Sequence, residues 1–196
     1  MRFREFKSDS SMNLLFRAIR SILKRIRGRL FFYSGMFDKS SKSSITFGVN
    51  PIFINSKNIS FSGDNNFGRF ARIEVFNSQN INAKVVFGES VSSGDYFHLG
   101  CAYNITIGNN VLIGSNVLII DHNHGHPKAD VLNKSTVKPR DRPLSGKEII
   151  ICDDVWIGDG VCILPGSSVG KGSIVAANSI VKGSVPEYTI YRQQVC

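Results

Sequence analysis

Long uncharged apolar runs are missing from this sequence, and with them any segment able to cross a bilayer as a helix, which needs roughly 20 such residues. Its 196 residues include only four cysteines. Cys101, Cys152, Cys162 and Cys196 form no C-x-x-C pair, and nothing in the composition suggests a secreted disulfide scaffold. Three of them fall in apolar strand-like segments and read as small core residues in a reducing compartment. Signal-peptide architecture is absent as well, because arginines break the apolar positions near the N-terminus and no small-residue cleavage site follows. The expectation is a cytoplasmic protein.

Charge is present but unevenly placed. The formal net charge is +9, yet residues 1–42 hold eleven Lys and Arg against three acids, leaving thirteen against twelve in the remainder. The body therefore has almost no electrostatic footprint for a nucleic-acid backbone, and a base-reading motif is absent, so no nucleic-acid partner is expected. The length fits one domain with ample core, and 18 glycines point to many turns.

Residues 1–43 read as a basic amphipathic helical arm. From Asn13 to Phe32, Leu14, Leu15, Ile19, Ile22, Leu23, Ile26 and Leu30 recur at three- and four-residue steps, with arginine and lysine filling much of the rest. Such a helix can lie on an anionic membrane surface, with packing on the body or a partner subunit as the alternative.

The strongest signal is a repeat of six. Aliphatic residues stand at Ile151, Ile157, Ile163, Val169, Val175 and Val181, and again at Ile107, Ile113 and Ile119. Four positions after seven of these comes Val111, Val117, Val155, Val161, then Ser167, Ser173 and Ser179. Six is not a helical period, so each unit is a short strand plus a corner. Three units make one turn of a triangular coil of eighteen residues, in which Ile151 stacks under Val169, Ile157 under Val175 and Ile163 under Val181. Several coils must stack for stability. With weaker strand-like stretches upstream, residues 44–186 read as one all-β, parallel β-helix domain, and 187–196 as a short atypical tail.

The repeat breaks at about 121–148, in a polar segment that opens with Asp121, His122, His124 and His126. Long excursions from a compact repeat are commonly functional. In extended chain the three histidines point to one side, which suits a metal or a catalytic base with its support. A neutral imidazole can accept a hydroxyl proton at physiological pH, so acid–base work is the preferred reading, with no metal expected.

Taken together, "IGNNVLIGSNVLIIDHNH" and "DDVWIGDGVCILPGSSVGKGSIVAANSIV" resemble the hexapeptide-repeat acetyltransferases, closest to bacterial sugar and polysaccharide O-acetyltransferases, over about residues 85–188. The resemblance implies a left-handed β-helix, a homotrimer, acetyl-CoA as co-substrate in the cleft between adjacent copies, and a loop histidine as base. Counting hexads from Ile107 puts that base on His124, or on His122 if the corner is offset by two, with Asp121 orienting an imidazole. By the same resemblance Trp156 lines the site, a backbone N–H near Gly158 or Asp159 stabilises the oxyanion, and pantetheine runs along Gly158, Ala176 and Ala177. Ser179 and Lys182 then lie toward the nucleotide phosphates. The implied acceptor is a carbohydrate of an O-antigen or capsule type polysaccharide, and the basic arm suits one that is lipid-linked at the inner face of the membrane. N-acetylation of a nucleotide-linked amino sugar and a non-catalytic β-helix scaffold are the competing readings. Two histidines five apart, as in metal-dependent hydrolyases of this fold, are absent. The chain also departs from the family at its end, where "VPEYTIYRQQVC" replaces the usual A-G-x-P-A-K segment that helps cover the CoA.

Overall fold

A computed structural model describes residues 10–34, 36–38, 45–77, 82–126, 128 and 136–193. One helix, Ser10–Tyr33, precedes short strands that wind into a three-sided parallel coil. The first side is a seven-stranded sheet running from Ile45–Phe47 through Leu112–Ile113 and Trp156–Ile157 to Ile190–Tyr191. A second, six-stranded side runs from Ile52–Ile54 through Arg72–Val75, His98–Cys101 and Leu118–Ile120 to Ile180–Val181. The third, also six-stranded, runs from Ile59–Phe61 through Asn104–Ile107 and Ile149–Ile151 to Ser184–Val185.

The strand pairing follows the hexad. Ile151 pairs with Val169, Ile157 with Val175 and Ile163 with Val181, all in parallel register and all buried. Corners need a left-handed residue, and Asp154 and Asn178 supply it at φ 60° and 58°, a conformation that Asp and Asn tolerate better than most. The coil continues beyond residue 186, because Ile190 and Tyr191 pair with Ile174 and Val175. Part of the C-terminal tail therefore completes the last turn.

The lower coils are built differently. Phe47, Phe61, Phe67, Phe87 and Phe97 fill the interior where valine and isoleucine stand higher up. Phe47 stacks on Phe67 at 5.3 Å between ring centroids, and Phe61 on Phe87 at 5.0 Å. Phe37 closes the open end, meeting Phe61 edge-on at 5.1 Å. The helix is fastened just outside this plug. Arg27 donates to the carbonyls of Phe47 and Gly48, and Phe31 lies 5.8 Å from Phe47 and 5.5 Å from Phe53. Gly28 makes that approach possible: a Cβ there would sit 1.5 Å from the Ile45 carbonyl oxygen.

Phe67 touches Phe47, Phe87 and Phe97 at once and has no exposed surface. Phe67→Ala should therefore cost about 3–5 kcal/mol, read as a lower midpoint in denaturant unfolding.

Candidate active site

The insertion after Ile120 leaves the coil at the corner between its second and third sides and forms a small antiparallel hairpin, His122–His124 against Leu144–Gly146. Asp121 fixes the base of this hairpin. Its carboxylate is fully buried and accepts three hydrogen bonds: from the Ala102 N–H at 2.7 Å, the Tyr103 N–H at 2.8 Å and His122 Nδ1 at 3.0 Å. A buried carboxylate is tolerated only when so satisfied. Lys147 N–H closes the loop from the other side by donating to the Asp121 carbonyl at 2.9 Å.

The histidines separate. His122 is 5% exposed, with Phe76 edge-on to its ring at 5.3 Å, whereas His124 and His126 are exposed. The one-sided array of three drawn from sequence thus becomes one imidazole held on a carboxylate and two facing outward. The buried Cys101 thiol, beside Asp121, is pushed up by desolvation and then by that carboxylate, so it stays protonated.

A second imidazole–carboxylate cluster lies on the outer face of the second side, and sequence reasoning missed it. Glu74 is 2% exposed, yet it receives Arg72 Nε at 2.7 Å, Arg72 Nη2 at 2.8 Å and His98 Nε2 at 3.1 Å. Its register partner is Gly100, and a Cβ built on Gly100 would lie 3.5 Å from His122 Cε1. The two pairs are neighbours across one glycine. Burial alone would raise the Glu74 carboxyl, but the hydrogen bonds from Arg72 and His98 outweigh it and hold it below the ordinary carboxylate value.

Of the residues assigned to the co-substrate, Trp156, Gly158, Asp159, Ala176 and Ala177 lie along the first side, and Ser179 and Lys182 bracket a strand of the second. Trp156 is half-exposed on the first side, paired with Leu112 and Ile174. Ala177 and Lys182 are exposed, and Ala176 is half-buried with its N–H on the Tyr191 carbonyl. Asp159 accepts the Ser115 N–H at 2.6 Å. Two assignments need correction. Ser179 is buried in a corner, in series with Ser167 and Ser173, so it does not face a phosphate. Gly158 N–H already donates to the Val175 carbonyl at 2.8 Å, so it is not free to donate to an oxyanion. Among the described residues no three His, Cys, Asp or Glu side chains gather as a metal site.

A three-sided parallel coil of six-residue units, broken once by a histidine-bearing hairpin, is the frame in which the comparisons with known proteins fall. The family described as "Bacterial transferase hexapeptide (six repeats)" matches residues 148–183. WbbJ of Escherichia coli (strain K12), named for O-acetyl transfer in lipopolysaccharide biosynthesis, is 36% identical over 142 residues, covering 71% of this chain and 70% of that one. A galactoside O-acetyltransferase of Lactococcus lactis subsp. lactis (strain IL1403) is 39% identical over 44 residues, 22% of this chain and 21% of its own. Among solved structures, the N-acyltransferase AntD from Bacillus cereus, in complex with dTDP and 3-hydroxybutyryl-CoA, aligns with TM-score 0.65. That alignment spans 83% of this chain and 82% of AntD at 19% identity, a likeness of fold. The chain belongs to the hexapeptide-repeat acetyltransferases, and it is an acyl-CoA-dependent acetyltransferase.

The depressed Glu74 carboxyl links stability to acidity. A carboxyl held low in the folded state contributes stability above its unfolded value, which is lost as pH falls through its folded value. Glu74→Gln should therefore be less stable than the parent at neutral pH, and the gap should close below the ordinary carboxylate range, measured as thermal midpoint against pH.

Proposed function

We propose that the chain moves acetyl from acetyl-CoA to a sugar hydroxyl of a bacterial surface polysaccharide, of the O-antigen or capsule type, with His124 as general base. The observation that carries this reading is the split between the two hairpin histidines. His122 is enclosed and committed to Asp121, while His124, two residues further along the same strand, is open to an acceptor. A base must reach the proton it takes, and the exposure of His124 on this strand supports it in that role over the enclosed His122. His122 and Asp121 then act as positioning residues that fix the strand.

In this reading His124 removes the acceptor hydroxyl proton as the oxygen attacks the thioester carbonyl. The Asp159 N–H stabilises the oxyanion, and the C–S bond breaks as the CoA sulfur leaves and takes the proton back from His124. Pantetheine follows Gly158, Ala176 and Ala177, Trp156 covers it, and Lys182 meets the phosphates. Gly158, Ala176, Ala177 and Trp156 flank the first side of the coil, whereas His124 projects from the corner after the second, the corner at which Lys182 also stands two coils further on. That separation supports a homotrimer of left-handed β-helices in which one copy's hairpin faces the next copy's Trp156. The name of WbbJ supports a cell-surface glycan as acceptor.

Calorimetry on the full-length protein should show acetyl-CoA binding that Trp156→Ala weakens and His124→Ala leaves intact. Transfer of labelled acetyl to a bacterial glycolipid extract should fall about 10²- to 10⁴-fold in His124→Ala. His122→Ala should lower the thermal midpoint as well, as expected of a structural support. Failure to bind acetyl-CoA, or label recovered as amide and not as ester, overturns the proposal.

A further inference from the structure

The N-terminal helix is fastened by one face and carries its apolar stripe on the other. Arg27, Gly28 and Phe31 meet the coil through the contacts described above, and Gly28 is the helix residue enclosed by it. At about 100° per residue, Leu15, Ile19, Ile22, Ile26 and Leu30 lie a third to a half turn away from Gly28. These five are 42–67% exposed, so the stripe points outward from the body. An amphipathic helix whose only role was to pack on its own domain would show the reverse arrangement.

Cations border the stripe on both edges. Arg25 and Arg29 lie on one flank and Arg20 on the other, the helix contains no acid, and none of these three arginines has an acidic partner among the described residues. Behind the helix a groove of about 850 Å³ holds Arg17, Arg20 and Lys24 opposite Arg69. The acid on that wall, Asp95, is already bound by Arg69 through Nη2 at 2.6 Å and Nε at 2.8 Å. No helix among the described residues is long and apolar enough to cross a membrane.

From this arrangement we infer that the helix is a docking surface for an anionic lipid bilayer, lying in the plane of the headgroups with the Leu15–Leu30 stripe inserted and its flanking arginines on lipid phosphates. Charge complementarity decides between the possible occupants. A second copy would set one acid-free cationic helix against another at close range, which is repulsive, whereas a surface of phosphodiesters neutralises the same cations and takes up the apolar face. The inference is independent of the acetyl-transfer reading, since it needs neither acetyl-CoA nor an acceptor.

The test is co-sedimentation of the full-length protein with vesicles of equal parts phosphatidylglycerol and phosphatidylcholine, against vesicles of phosphatidylcholine alone. Binding should be at least about tenfold stronger to the anionic vesicles and should weaken as salt is raised. Arg25→Ala with Arg29→Ala should weaken it on the order of tenfold, and Ile22→Asp with Ile26→Asp should abolish it. Both pairs are exposed, so the thermal midpoint and the mass by light scattering should stay unchanged. Equal binding to both vesicle types, no binding to either, or a fall in oligomeric mass in the aspartate variant would overturn the inference, the last by showing that another copy covers the stripe.

Discussion

Parallel pairing between successive coils, at a spacing of about 4.8 Å, is the constraint on which the rest of this molecule depends. At that separation each inward side chain rests on the one below it, so the interior must be apolar and of even thickness from floor to top. The corners must also turn sharply, and left-handed residues do this, most often asparagine but also Asp154, Phe70, Tyr96 and Tyr188. A polar excursion can leave the stack only between two strands that still pair. The insertion meets that condition: Leu112 pairs directly with Trp156, forty-four positions on, as though the loop were not there.

The upper coils were legible because their turns keep the eighteen-residue length that six-residue units demand. Trp156 pairs with Ile174, eighteen positions along, and the aliphatic pattern survives. Lower down the lengths change. Ile45 pairs with Asn65, twenty positions on, and Asn66 with Ser92, twenty-six on, so residues that stack in space fall out of step in sequence. Phenylalanine also replaces isoleucine there, and a pattern search for small aliphatics weakens where the core has only become aromatic. The last turn runs the other way, with Ile174 and Ile190 sixteen apart, so its strand falls out of the six-residue step.

Within the site, the histidine cluster stood out by composition, and its coil position followed from counting. Burial did not follow. Nothing local in "RIEV" distinguishes Glu74 from an ordinary outward carboxylate, because the groups that satisfy it are its neighbour Arg72 and His98, a full coil away. Ser179 shows the opposite error. Its six-residue spacing from Ser167 and Ser173 places it in one corner series, and all three serines are buried.

Trp156 is the only tryptophan in the chain, and it stands half-exposed on an outer strand with none in the core. All the indole emission of the protein therefore originates at one surface position, beside the edge assigned to the co-substrate. Whatever comes to cover that edge, ligand or neighbouring subunit, changes the polarity around the whole of the signal at once. The molecule carries its own optical reporter of occupancy, with no buried background to subtract.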